Sequence, residues 1–252
     1  MKKMLAKSVA ALAVVAALSG SAIAGDNPND PAEGFNRAMF AVNEGLDTVI
    51  AKPLATAYDT AAPLPVKAAF GNFFSNIADV MIGVNNLLQG KPGQAFNDWG
   101  RVLVNTTVGI GGTFDVASEM GLDKHYEDFG QTMGVWGVGE GAYLFWPVIG
   151  PRTVRDTAGF VVDSYTDPLY EFEPVPVRNS LVFARLVDAR ASLLPTDKII
   201  EEGALDKYSY VRDAYLQHRR NAVYDGNPPR DLEMSNGKAP VEMKNAPTKP
   251  GH

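Results

Sequence analysis

The chain has 252 residues and not one cysteine. Without thiols it can form no disulfide, no cysteine nucleophile and no thiolate metal site. Histidine is nearly as scarce, with three in all. His252 is terminal, His218 lies among charges in Gln217-His218-Arg219-Arg220, and only His125 has acids close by in sequence, in Asp123 to Asp128. No G-x-S-x-G elbow, no P-loop and no EF-hand spacing occurs. A serine hydrolase, an ATP user and a calcium site are therefore all unmarked. Gly137-Val138-Gly139-Glu140-Gly141-Ala142 matches the dinucleotide pattern G-x-G-x-x-A in letters only, because Trp146-Pro147 follows too soon for the helix that the motif must open. No cofactor, no metal and no catalytic residue is expected. A lipid hydrolase centred on His125 is the one enzymatic reading left to test.

Positive charge is also in short supply. There are 23 Lys and Arg against 29 Asp and Glu, for a net charge of −6, and no basic block. That pattern excludes nucleic acid as the main partner. Beyond the N-terminus there is no apolar run of the length a transmembrane helix needs.

Three features stand at the start of the chain. Lys2, Lys3 and Lys7 form a basic region, Ser8 to Leu18 an apolar stretch, and Ala22-Ile23-Ala24 a small-x-small cleavage site. Together they read as a signal peptide over residues 1–24. Leu18-Ser19-Gly20-Ser21 has the form of a lipoprotein cleavage box with serine at the position of the lipid-bearing cysteine. Ser21 cannot form the thioether, so ordinary cleavage before Gly25 is expected. The remainder is long enough to bury a core as one domain, placed at residues 25–225.

Helix dominates that domain. Asp30-Pro31-Ala32-Glu33 reads as an N-cap acid, a first-turn proline and a capping-box glutamate. Phe35, Met39, Val42, Leu46 and Val49 follow on one helical face, and Lys52-Pro53 is expected to break the helix. A second amphipathic run carries Phe70, Phe73, Phe74, Ile77, Val80, Met81, Val84, Leu87 and Leu88, with Gly71 and Gly83 arguing against one straight helix. A third carries Phe96, Trp99, Val102 and Leu103. From Phe129 to Gly150 glycine recurs at 130, 134, 137, 139, 141 and 150, which predicts a hairpin or irregular loop with an apolar surface. Tyr165 to Val177 reads as extended, and two further helices are expected over Arg178–Leu194 and Lys198 to about Asn221. Residues 226–252 read as a disordered tail.

Several segments, in order, resemble the MlaA/VacJ family of outer-membrane lipid-transport proteins. They include Gly34-Phe35-Asn36-Arg37, Asn85-Asn86-Leu87-Leu88-Gln89-Gly90, Arg101-Val102-Leu103-Val104-Asn105-Thr106, Asp128-Phe129-Gly130-Gln131-Thr132, Gly134-Val135-Trp136-Gly137-Val138-Gly139 and Val211-Arg212-Asp213-Ala214-Tyr215. The resemblance implies a mainly α, ring-shaped domain in the inner leaflet of the outer membrane, with an amphipathic central channel. It also implies three partners: phospholipid, an outer-membrane porin trimer and a periplasmic MlaC-like carrier. The expected gate is the segment holding Asp128, Phe129, Gly130, Gly134, Trp136, Gly137, Gly139, Gly141 and Tyr143. Phe35, Met39, Phe70, Phe73 and Phe74 become candidates to face the membrane, although apolar helix faces taken alone are more often core. Arg152 and Arg155 are candidates to meet lipid phosphate or, alternatively, to form structural ion pairs. A freely soluble periplasmic lipid carrier is the competing expectation, favoured by the missing cysteine.

Overall fold

The computed structural model describes residues 30–229. The expected signal peptide, Ser21 and the tail beyond Pro229 lie outside the described residues. Helix α1 (Glu33–Leu46) passes through a wider π-helical turn (Asp47–Ala51) directly into α2 (Lys52–Ala61). The long α3 (Leu64–Leu88) and α4 (Pro92–Thr107) form an antiparallel pair. Short helices α5 (Val116–Glu119) and α6 (Phe129–Val135) precede a hairpin of β1 (Tyr143–Trp146) and β2 (Gly150–Thr153), paired with Trp146 opposite Gly150. Helix α7 (Val154–Thr166), a 3-10 turn (Pro168–Glu171), α8 (Val175–Ser192), α9 (Leu194–Gly203) and α10 (Lys207–Val223) complete the fold. Among the described residues no helix is long and apolar enough to cross a membrane.

The two ends of the domain meet, which closes the elements around an opening. Arg37 on α1 binds Asp206 at the start of α10 at 2.6 Å. Asp30 is buried and accepts hydrogen bonds from Asn36 at 2.7 Å, from the Tyr208 hydroxyl and from Arg212 at 3.3 Å. Across the opposite side, Arg190 on α8 holds Asp47 at 2.6 and 2.7 Å, and Tyr58 on α2 donates to Asp188 at 2.9 Å.

Polar side chains take over work that apolar packing does in most domains. Asn36 and Asn43 lie on one face of α1 and bond the hairpin backbone as another strand would. Asn36 accepts from Phe145 N–H at 2.8 Å and donates to the Tyr143 carbonyl at 3.0 Å. Asn43 accepts from Val148 N–H at 2.8 Å and donates to the Trp146 carbonyl at 3.0 Å. Phe40, Tyr143, Phe145 and Tyr208 pack edge-on behind this seam. Between α3 and α4 lies a second polar seam. Asn76, Asp79, Gly83 and Asn86 form a stripe on α3, and Asp98, Arg101 and Asn105 form one on α4; all seven are buried. Arg101 is 2 % exposed and binds Asp79, Asp115, Ser118 and the Leu122 carbonyl.

Several local expectations are corrected. Asp30 does not cap α1, because its carboxylate is committed to three buried donors; the helix starts at Glu33 with no side-chain cap. Lys52-Pro53 does not break the helix: the π turn widens the backbone just ahead of Pro53, where its ring would otherwise meet the carbonyl four residues back, and the chain runs on into α2. Gly83 does not interrupt α3, since a side chain there would lie 2.4 Å from Trp99 Nε1, and the indole uses that space to reach the Val80 carbonyl. The stretch taken as extended begins with the end of α7 and a 3-10 turn. The last expected helix is two, parted by Ala204 to Asp206, with Asp206 capping α10 by accepting from Tyr208 N–H.

Candidate functional site

The glycine-rich stretch is not one loop. Its first part is α6, which contains Gly130 and Gly134; the hairpin begins only at Tyr143 and runs to Thr153. Close packing outweighs the roughly 1 kcal/mol helix cost of each glycine. A side chain at Gly159 of α7 would lie 2.4 Å from the Gly130 nitrogen, and one at Gly130 would meet Arg219 and Asp156 at 2.8 Å. Gly137 and Gly141 adopt positive φ in the turns that follow, where glycine is the natural residue.

Asp128 opens α6 as its N-cap, accepting from Gln131 N–H at 2.8 Å. It also binds Arg219 of α10 at 2.5 and 2.9 Å. The same guanidinium reaches Asp156 of α7 at 2.9 and 3.1 Å, and the Tyr215 hydroxyl donates to Asp156 at 2.8 Å. One arginine thus ties three elements together at a buried point. Burial alone would raise both carboxyls. The Arg219 hydrogen bonds and charge prevail, lowering Asp128 and holding Asp156 at about 2. Two turns further along α7, Asp163 has no such partner; it accepts only the Phe129 N–H, at 3.2 Å. Burial and the nearby Asp128 charge push it up to about 6.

Asp128, Asp163 and Arg219 line a cavity of about 970 Å³ bounded by α3, the start of α4, the segment before α6, α7, the 3-10 turn, α8 and α10. Met81, Ile82, Phe160 and Leu186 make apolar wall, while Asn85, Lys124, Asp128, Asp163 and Arg219 make polar wall. Such a lining accommodates a molecule with apolar chains and a charged end. The exterior carries many large apolar side chains. Val49 is 75 % exposed, Ile110 70 % and Phe96 68 %, with Leu64, Leu103, Phe114, Val148 and Phe183 also exposed. The largest fully buried side chains are Arg101, Tyr143 and Leu169, followed by Asn36, Asn85 and Asn86, with Asp79 and Asp98 also fully buried.

The residues expected to form the gate separate. Asp128 lines the cavity, and Phe129 and Gly130 follow it in α6. Trp136, Gly137, Gly139 and Gly141 are exposed; the Trp136 indole donates to the Leu88 carbonyl at 3.0 Å. Tyr143 is wholly buried in the aromatic cluster. Of the membrane-facing candidates, Phe70 is exposed, Phe35, Met39 and Phe73 are half-buried, and Phe74 is buried. Arg155 is buried against Asp156 at 3.1 Å, and Arg152 stacks 4.1 Å over the Phe160 ring. His125 bonds through Nδ1 to Asp98 at 2.7 Å, and among the described residues no hydroxyl joins that pair. Missed from sequence were Asp79, Asp98, Asp163 and Arg219. The signal for the first two was present: polar residues at helical spacing inside otherwise apolar runs.

The chain and its fold have matches among known proteins. The family model for MlaA lipoprotein matches residues 28–222. An Escherichia coli protein, the intermembrane phospholipid transport system lipoprotein MlaA, is 33 % identical over 84 % of each chain. Its Haemophilus influenzae namesake is 32 % identical over 79 % of this chain and 80 % of that one. A solved chain, described as the structural basis for maintenance of bacterial outer membrane lipid asymmetry, aligns with a TM-score of 0.68 at 33 % identity. That alignment covers 79 % of this chain and 99 % of the other.

Proposed function

The chain belongs to the MlaA lipoprotein family, and from that premise we propose that it is an outer-membrane phospholipid channel that maintains lipid asymmetry. In this role it removes misplaced phospholipid from the outer leaflet and passes it to a periplasmic lipid carrier. The observation that carries the reading is the combination of many exposed large apolar side chains with an opening lined by both apolar and charged groups. Lipid tails are a suitable environment for that exterior, and water is a poor one.

Energetics explain why such a protein needs no catalytic group. Exposing about thirty acyl CH₂ groups to water costs on the order of 20 kcal/mol. An opening with apolar wall for the chains and polar wall for the headgroup removes most of that barrier. Net direction is then set by the carrier that takes the lipid away. Association with a porin trimer would fix the domain's depth in the leaflet. Residence at the membrane draws on the apolar exterior and on that partner. The soluble-carrier alternative gains nothing from the comparisons and leaves the exposed apolar surface unexplained.

The test is fractionation of the full chain, with phospholipid measured in the outer leaflet of cells carrying wild type, no protein, or Ala78→Trp. Ala78 is exposed and lines the cavity, so the indole should obstruct the opening without disturbing the core. Expected are sedimentation with outer membrane and raised outer-leaflet phospholipid both without the protein and with the blocked variant. A soluble protein whose loss leaves the leaflet unchanged would falsify the proposal. Normal asymmetry with Ala78→Trp would exclude this opening as the route.

A further inference from the structure

The lining of the opening is unequal in what it leaves free. Three cations face it, and each is already held by a carboxylate. Lys124 binds Asp79, Arg185 binds Asp167 at 2.7 Å, and Arg219 binds Asp128 and Asp156. Two lining acids share one lysine, since Lys91 bonds Glu127 at 3.2 Å and Asp225 at 2.6 Å. Asp163 stands alone among the lining acids, with a backbone N–H as its partner and no cation within ion-pair distance. Of the two lining histidines, His125 is engaged with Asp98, and His218 is exposed. Arg152 has no carboxylate partner, but it is not part of the lining; its guanidinium stacks on Phe160, which is.

A second, independent imbalance points the same way. Buried acceptor oxygens without donors occur at and beside the cavity. Gln94 lines it with an unpaired, buried Oε1; Gln89 bonds Glu127 and Thr132 through its nitrogen and leaves its oxygen unpaired; Asn86 is fully buried, bonds Asp98 through its nitrogen and leaves its oxygen unpaired. Buried acceptors normally find a donor. The lining cations are therefore all matched by carboxylates, while Gln94 Oε1 is an unpaired acceptor in the wall and Asp163 a carboxylate without a cation.

Resting on the channel reading, we propose that the opening selects phospholipids with an amine-bearing, zwitterionic headgroup over anionic ones, with Asp163 as the partner of the headgroup ammonium. The phosphodiester is common to both lipid classes and can use spare N–H groups of Arg185, whose charge Asp167 already balances. What differs is the far end of the headgroup. An ethanolamine ammonium brings a positive charge and three donors to a wall of acceptors. A glycerol headgroup leaves the lipid with net negative charge beside an ionised Asp163 and no free cation.

The experiment uses the full chain with a diazirine amino acid in place of Met81, a lining position, so that crosslinks report lipid inside the opening rather than lipid around the exterior. The protein is mixed with equimolar phosphatidylethanolamine and phosphatidylglycerol of matched chains at pH 8, irradiated, and its adducts are counted by mass spectrometry. Ethanolamine adducts should exceed glycerol adducts about tenfold, equivalent to about 1.4 kcal/mol. Asp163→Asn keeps an acceptor for Phe129 N–H and should reduce the ratio to about two. Arg152→Gln should leave the ratio unchanged or raise it. Equal adducts in the wild type, a glycerol preference, or a tenfold ratio that survives Asp163→Asn overturns the selectivity while leaving the channel intact. No adduct of either lipid overturns both readings.

Discussion

Asp156 and Asp163 share a helix face and shift in opposite directions, because Arg219, with Arg155 and Tyr215, holds Asp156 while Asp163 has burial and the Asp128 charge against it. Asp156 is held at about 2, so it contributes stability at pH values above the ordinary carboxylate range, and this is lost as pH falls toward 2. Asp163 is raised to about 6, so the sign reverses. Its contribution is fully present below the unfolded value near 3.9 and is lost as pH rises through 6. Asp163→Asn should therefore stabilise the protein at pH 7.5, by on the order of 2 kcal/mol, with the gain gone below pH 4. Thermal melts at the two pH values read this directly, and a lower Tm at pH 7.5 would show that the carboxylate is matched by a cation. Arg219→Met removes the shared partner of Asp128 and Asp156. Asp156 keeps Arg155 and the Tyr215 hydroxyl, and Asp128 keeps the Gln131 N–H, so the loss should be about 1–3 kcal/mol at neutral pH, measured by denaturant unfolding.

At the scale of elements, glycines divide into those that permit contact and those that permit only a turn. Gly159→Ala places a methyl group 2.4 Å from the Gly130 nitrogen, so α6 and α7 must separate, at a cost of about 1–3 kcal/mol or more. Gly139→Ala meets nothing within 4 Å and needs no positive φ. It should be neutral or raise stability by about 0.4–1 kcal/mol. Comparing the two melts separates packing from loop entropy; equal losses would mean that the α6–α7 crossing is not tight. Sequence could not make this division. Glycine count alone turned α6 into loop, because the partner that rewards Gly130 lies in α7, which periodicity did not reveal. α7 is defined at its start by the Thr153 cap, which accepts from Asp156 N–H, and its buried residues are Arg155, Asp156 and Gly159. An apolar-periodicity search has nothing to find there. By contrast α1, α3 and α4 were legible, since their apolar residues recur at helical spacing.

What periodicity does not say is which way an apolar face points. Phe35, Met39, Val42, Leu46 and Val49 formed one stripe in sequence, but the α1 residue that is buried is Asn36, and Val42, Leu46 and Val49 face outward. The same inversion holds for the α3–α4 pair, where the polar stripes meet each other and Phe96 and Leu103 face out. The opening follows from this arrangement: a polar seam closes helix pairs, and the remaining polar groups line the space between them. If the exterior is a lipid surface, its side chains contribute to membrane affinity and little to folding. The combined variant Val49→Asp, Phe96→Asp, Ile110→Asp should then change unfolding free energy by under about 1.5 kcal/mol, because exposed sites are usually within about 0.5 kcal/mol each. Membrane affinity should fall more than about a hundredfold, given roughly 1.5–3 kcal/mol for burying each large apolar side chain. Flotation with phospholipid vesicles, alongside urea unfolding, measures both quantities on one preparation. A variant that still floats as the wild type does would place these residues outside the lipid contact, whereas one that fails to fold would place them in a core.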